Sequence, residues 1–309
     1  MAVSPGTTKP ILLWAPPRSV STAFERAVGE HSRVEVFHEH FADPYYFGPD
    51  KFTAELPTAP AAATMQEALA ASLLVRDSTY ASQVAGLTSA HQRPVTFSKE
   101  LTIYYQADKL PETTMAQFTH CFLMRRPEKV LRSFWRVAQE GAVADVEKGR
   151  SASSSSSTYF NPDEVGFQEL DALVDVVTVQ LGQPLILVDA DDLLADPAGI
   201  LEAWCDAVGL PWEAGITSWE AGMPETWQKW PGWHDDAATS TGFAPRNKPP
   251  SAAETSANKA ATTPDDPEEV TAAIVKAQPI YDRLYEKRLR AKPKKSWIGH
   301  GPVDWASRA

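Results

Sequence analysis

The chain has 309 residues, 43% of them hydrophobic and 22% charged, with 40 acidic against 29 basic side chains and a formal net charge of −11. That balance excludes a protein built to coat nucleic acid, whose phosphate backbone demands a basic face, so any anion must be bound by a local concentration of cations. No apolar run is long enough to cross a bilayer and no charged-then-apolar leader opens the chain, which predicts a soluble, cytoplasmic protein with no membrane or nucleic-acid partner.

In chain order, short branched apolar runs predict buried parallel strands at Ile11–Ala15, Val34–Phe37, Pro94–Phe97, His120–Met124 and Pro184–Asp189. Amphipathic helical segments alternate with them at Ser21–Glu30, Met65–Arg76, Pro127–Glu140, Asp163–Leu181 and Pro197–Val208, the last stopped by Gly209. The alternation predicts one α/β domain over 1–309, a parallel sheet flanked by helices on both faces, with ligands at the carboxyl ends of the strands. Cys121 and Cys205 lie in apolar stretches and read as buried core thiols. Mobile loops are expected at about 151–160, nearly pure serine, and at 237–266, rich in Ala, Ser, Thr and Pro. The tryptophan-dense stretch Trp212–Trp233 reads as an irregular segment packed on the domain. A C-terminal helix at about 267–290 should kink or break at Pro279, and the basic tail Lys292–Lys295 should be solvated.

The first strand runs into Ala15-Pro16-Pro17-Arg18-Ser19-Val20-Ser21-Thr22, followed by a helix. Such a turn aims backbone N–H groups and the positive end of the helix dipole at one spot, which makes an anion site. Ser19, Ser21 and Thr22 add hydroxyls and Arg18 a fixed charge. The same residues also fit plain capping: Thr22 with Glu25 matches a capping box, and Ser21 suits an N-cap. The glycines and lysine of a standard NTPase phosphate loop are missing. A second block, Phe122 to Phe134, delivers Arg125 to the end of a strand, starts a helix at Pro127 and places Ser133 about two turns along it. Arg125, Arg126, Lys129, Arg132 and Arg136 crowd into twelve residues there. Arg126, Lys129, Arg132 and Arg136 are expected to dress a solvated helix face. A third block, Leu187 to Pro197, carries Asp189, Asp191, Asp192 and Asp196, which read as turn and cap residues.

Pro17-Arg18-Ser19-Val20-Ser21-Thr22 resembles the P-K-S-G-T-T phosphosulfate loop of PAPS-dependent sulfotransferases, with Arg18 in place of the Lys and Val20 in place of the Gly. The second block is similar to that family's R-N-P-x-x-x-x-x-S, with Arg125 and Ser133 at its spacing, and the third looks like its Y-E-D-L-x-x-x-P segment. Within the family the chain looks closest to a branch with P-R-x-x-S-T-A near its start and D-E-P after the second strand. The resemblance implies a P-loop NTPase-like sulfotransferase fold. It implies that Pro17, Arg18, Ser19, Val20, Ser21 and Thr22 hold the 5′-phosphosulfate of PAPS, and that Arg125 and Ser133 hold its 3′-phosphate. It implies transfer of a sulfuryl group to a hydroxyl or amine of a small-molecule acceptor, leaving PAP, with no metal required.

That chemistry asks for a base near the donor sulfur. In Val34-Glu35-Val36-Phe37-His38-Glu39-His40, Glu39 fills the acidic position of D-E-P, and we take it as the base, with apolar Phe37 and Phe41 expected to raise its basicity. His38 is a rival base. With His40 two residues on, it is also half of a conceivable metal pair, though no further ligand spacing completes that site. Phe97-Ser98-Lys99-Glu100-Leu101 resembles the strand end where cytosolic sulfotransferases carry K-x-H, without the His. Lys99 is expected to steady the transferring group, and Glu100 is a second-choice base. A phosphate-loop kinase using Asp189 to hold magnesium is the alternative. So is a repurposed scaffold that binds the nucleotide without net sulfation, or that sulfates to drive cyclisation or elimination.

Overall fold

The computed structural model describes residues 9–51, 77–147, 160–228, 233–243 and 266–292. The expected helix at 65–76, the serine run at 151–157, residues 244–265 of the second expected loop and the tail from 293 lie outside these residues. Five strands, β1 (Ile11–Ala15), β2 (Val34–His38), β3 (Val95–Leu101), β4 (Thr119–Met124) and β5 (Leu187–Asp189), form one parallel sheet in the order β2-β3-β1-β4-β5. β1 is buried throughout and lies at the centre, with Ile11–Ala15 in register with Phe97–Leu101 on one side and Ile11–Trp14 with Thr119–Phe122 on the other.

Alternation along the strands divides the core by face. Ile11, Leu13, Ala15, Val95 and Phe97 join helix α1 (Ser21–Gly29) and the helix Pro197–Val208 in one apolar cluster. Leu12, Trp14, Phe122 and Met124 join residues of the helices at 127–147, 167–175 and 268–285 in a second. Both cysteines are buried thiols, as expected. Asp189 caps the short helix Ala190–Ala195 through the N–H groups of Asp191 and Asp192, and Asp196 caps the next helix, whose end is Gly209 in the left-handed region at φ 78. These acids are the caps that the sequence predicts.

Several expectations are corrected. The segment expected as one helix over Asp163–Leu181 is a 3₁₀ turn at 162–165, an α-helix at 167–175 and a π-turn at 176–180, separated by left-handed Gly166. The helix Glu268–Tyr285 runs through Pro279 without a break, because Pro279 and Val275, whose carbonyl loses its partner, are both exposed and water can replace the lost hydrogen bond. Residues 237 and 238 of the expected loop belong to a short helix, Asp235–Ala238, and Gly242 bridges to Ser218. Lys292 is not simply solvated: it pairs with Glu202 at 3.4 Å and contacts Asp206. Among the described residues, no helix is long and apolar enough to cross a membrane.

Candidate active site

The chain leaves β1 through Pro16 and Pro17 and enters α1 by a turn in which Arg18 and Val20 take φ of 61 and 72. These left-handed conformations cost an L-residue about 1–2 kcal/mol, and they give a concave run of N–H groups of the kind that binds anions. Val20 stands at the N-cap and no side chain caps the helix. The capping readings of Ser21 and of Thr22 with Glu25 therefore fall. The buried Ser19 hydroxyl donates to the Pro16 carbonyl at 2.7 Å and braces the turn.

Arg18 Nε donates to Ser133 Oγ at 3.0 Å, its Nη1 donates to the Trp233 carbonyl at 2.7 Å, and Asp236 lies 3.9 Å from Nη2. Arg125, at the carboxyl end of β4, donates from Nη1 to the Arg18 carbonyl at 3.3 Å, while its buried Nε has no hydrogen-bond partner. The turn after β1 and the block after β4 thus meet in one cationic cluster. Burial lowers the Arg125 pKa from its usual value, against the opposing pull of Asp191. A desolvated guanidinium with an unused donor is suited to an incoming anion. The neighbouring cations are committed elsewhere, which corrects the solvated-face expectation. Arg126 and Lys129 bind Asp191 at 2.6 and 2.9 Å, and Arg132 binds Asp266 with two nitrogens.

A second cluster lies at the ends of β2 and β3, where His38 is in register with Lys99. Glu39 follows β2 at φ 46, and its N–H donates to the Lys99 carbonyl at 2.9 Å. Its Oε1 contacts the Lys99 ammonium and its Oε2 accepts from the Tyr104 hydroxyl at 3.1 Å, all three residues being buried. Burial pushes the Glu39 pKa up, but Lys99, His38 and His234 outweigh it and hold the carboxyl at about 2. The expected gain in basicity is overturned. Phe37 and Phe41 adjoin Glu39 in sequence, but the groups that touch its carboxylate are a cation and a hydroxyl.

Glu100 points to the other face of β3. It accepts from the backbone N–H groups of His40 and Phe41 and from the Ser98 hydroxyl, at 2.9, 3.1 and 2.6 Å. It therefore fixes the turn that carries Glu39, and burial pushes its pKa up to about 8 despite these donors. His40 packs edge-on against Phe37. β2 ends at His38 and the left-handed Glu39 breaks the alternation that would have set His38 and His40 on one face.

The third residue beside His38 and Glu39 is His234, from a segment 200 residues downstream. Its Nδ1 lies 3.3 Å from Thr22 Oγ1, and its ring meets that of His38 edge-on at 4.7 Å. His38, Glu39 and His234 offer ligand atoms within 4.8 Å of one another. They do not suit a metal ion, however, because Lys99 already contacts the carboxylate. The His234 pKa is held at about 2, first by burial and then by its neighbours His38 and Lys99. Sequence reasoning missed His234, Tyr104 and Trp227, which belong to no motif, and read Glu25 only as half of a capping box. The only signal was the unusual density of tryptophan: Trp219 and Trp227 are buried, Trp227 Nε1 donates to Glu25 at 2.9 Å, and Trp233 supplies the carbonyl that holds Arg18.

Residues 159–264 match the family model described as "Sulfotransferase domain". That stretch begins beyond the turn at Arg18 and the block at Arg125. The fold is that of the "Sulfotransferase Domain from the Curacin Biosynthetic Pathway": 16% identity, TM-score 0.50, covering 90% of this chain and 97% of that one. The chain also resembles two proteins of Arabidopsis thaliana, "Branched-chain-amino-acid aminotransferase-like protein 2" at 31% and "Branched-chain-amino-acid aminotransferase-like protein 1" at 30% identity. Each match runs over 144 residues, 46% of this chain and 22% of the relative. The chain thus aligns with less than a quarter of the length of these curated relatives. The family match and the fold agree with the sulfotransferase resemblance read from the sequence.

Proposed function

We propose that this protein transfers a sulfuryl group from PAPS to a hydroxyl or amine of a small-molecule acceptor and releases PAP. The observation that carries the reading is the 3.0 Å hydrogen bond from Arg18 to Ser133, with Arg125 bonded to the Arg18 carbonyl. Two sequence blocks more than 100 residues apart, each resembling a different phosphate contact of the same nucleotide, are joined by these contacts, which supports the reading.

In this account Arg18 and the N–H groups of the turn, with Ser21 and Thr22, receive the 5′-phosphosulfate. Arg125 and Ser133 receive the 3′-phosphate, and the unpartnered Arg125 Nε gains an acceptor there. Lys99 lies toward the transferring group with Glu39 as its counterion. The transfer asks for in-line positioning and for charge stabilisation on the leaving oxygen, which fixed cations supply. The kinase alternative is weakened at Asp189. Its carboxylate is 1% exposed and accepts from two backbone N–H groups and from the Tyr281 hydroxyl at 2.9 Å, so it is a cap and a strut.

The test is ligand-dependent melting followed by transfer from ³⁵S-labelled PAPS to a panel of hydroxyl and amine acceptors. PAP should raise the melting temperature by mass action while magnesium-ATP does not, and label should move to an acceptor. Stabilisation by magnesium-ATP alone would favour the kinase.

A further inference from the structure

Two imidazole nitrogens in the corner described above, Nε2 of His38 and Nε2 of His234, are buried and have no hydrogen-bond partner. Unsatisfied polar atoms in a packed interior are costly and ask for an explanation. At His38 the opposite nitrogen supplies one. Nδ1 lies 2.7 Å from Glu25 Oε2, and the other oxygen, Glu25 Oε1, accepts from Trp227 Nε1 at 2.9 Å. Glu25 stands on α1, which starts at the phosphate turn, and it is 3% exposed. A carboxylate has no proton to give, so it takes one from Nδ1 and leaves a lone pair on Nε2. Nε2 sits 3.8 Å from Glu39 Oε1, at the corner where Lys99 and the Thr22–His234 contact meet.

We infer that His38 is the proton acceptor of the transfer reaction, with Glu25 and Trp227 as positioning residues that hold its ring and tautomer. The inference rests on the reading of the site as a sulfuryl-transfer centre. As the acceptor oxygen or nitrogen forms its bond to sulfur, the bond from sulfur to the 5′-phosphate oxygen breaks and that oxygen keeps the electron pair. The acceptor's proton passes to His38 Nε2. The imidazolium then lies between two carboxylates, Glu25 at Nδ1 and Glu39 at Nε2, and later loses its proton to solvent. The charged and titratable groups around it are Glu25 on α1, Glu39 beyond β2, Lys99 on β3, and His234 with Arg18 behind it.

The other candidate bases are already occupied. Glu39 has Lys99 on one oxygen and Tyr104 on the other, and Glu100 accepts from three donors. His234 is buried beside Lys99 and Arg18, and burial above all holds its pKa at about 2. The arrangement also sets the acceptor class: the attacking group must bring an O–H or N–H donor to Nε2.

The experiment compares wild type with His38→Ala, His38→Asn and Glu25→Gln by three readouts: PAP affinity, label transfer from PAPS, and the tautomer of His38 by long-range ¹H–¹⁵N spectra. Asparagine keeps a donor toward Glu25, which preserves the fold should alanine not. Wild type should show the proton on Nδ1. His38→Ala and His38→Asn should keep PAP affinity within about twofold and lose about 10²–10⁴ in transfer rate, and imidazole in solution should restore part of the His38→Ala rate. Glu25→Gln should disturb the tautomer and lower kcat with little change in KM. Transfer at the wild-type rate by both His38 variants, or a wild-type His38 protonated on Nε2, overturns the inference and leaves the transfer reading standing. A wild type that binds PAP and transfers to no acceptor overturns the transfer reading, and the base role with it.

Discussion

Removing either member of the buried Glu39–Lys99 pair should destabilise the protein, and removing both should cost well under the sum of the two. Both side chains are almost fully buried, 7% and 1% exposed, and Lys99 contacts Glu39 Oε1. The groups facing the Glu39 carboxyl, Lys99 first and then His38 and His234, together outweigh its burial and hold it at about 2 against an ordinary 4.5. At about 1.36 kcal/mol per unit, that depression is worth about 3.4 kcal/mol. It falls within the 3–5 kcal/mol that breaking a buried ion pair from one side costs, on the order of what an uncompensated buried charge demands. Glu39→Gln and Lys99→Met should therefore each cost about 3 kcal/mol by urea unfolding at pH 7. The double variant should cost well under the sum, giving a coupling of about 2 kcal/mol or more. The sign with pH follows. A depressed carboxylate stabilises the fold above pH 4.5, and that stability is lost as pH falls toward 2. Single-variant costs below about 1 kcal/mol, or strict additivity, would refute the pairing. The result also bears on catalysis, because inactivity of Glu39→Gln would then report a stranded Lys99 as readily as a missing base.

Two further outcomes follow from the same geometry. Glu100 keeps a proton that the unfolded chain releases between pH 4.5 and about 8, so stability should fall as pH rises through that window, by up to about 4.8 kcal/mol. Glu100→Gln should flatten the slope, and parallel stability curves for variant and wild type would contradict the assignment. Val20→Gly should change stability by less than about 1.5 kcal/mol. Relief of about 1–2 kcal/mol of left-handed strain offsets the roughly 0.5–1 kcal/mol that glycine's backbone freedom costs. A loss above about 2 kcal/mol by urea unfolding would show that packing of Val20 dominates.

What the sequence made legible was local. A strand running into Pro16-Pro17-Arg18, and another ending at Arg125 before Pro127, announce their turns through residue type and order. Asp189 and Asp196 read as caps for the same reason. The chemistry around Glu39 was misjudged because nearness in sequence stood in for nearness in space. Residues two apart share a face only while a strand continues, whereas β2 ends at His38 and Glu39 is left-handed, and the groups that decide the carboxylate's charge, Lys99 and Tyr104, arrive across the sheet from β3 and the turn after it. Glu25 looked like half of a capping box because its spacing from Thr22 fits one. Only the register of α1 against β2 shows that it faces His38. His234 and Trp227 carry no motif, and they reach the site from segments between 219 and 228 and between 233 and 243 that periodicity does not predict.

The central claim is that Arg18, Arg125 and Ser133 form one nucleotide pocket, and calorimetric titration of PAP into wild type, Arg125→Ala and Arg132→Ala tests it most directly. Arg125 lies against the phosphate turn, whereas Arg132 is committed to Asp266. Wild type should bind PAP at one saturable site. Arg125→Ala should lose a charge-assisted contact worth on the order of 1.5–3 kcal/mol, about ten- to a hundredfold in affinity. Arg132→Ala should bind within about threefold of wild type. Absence of saturable binding by wild type, or equal losses in the two variants, would contradict the account.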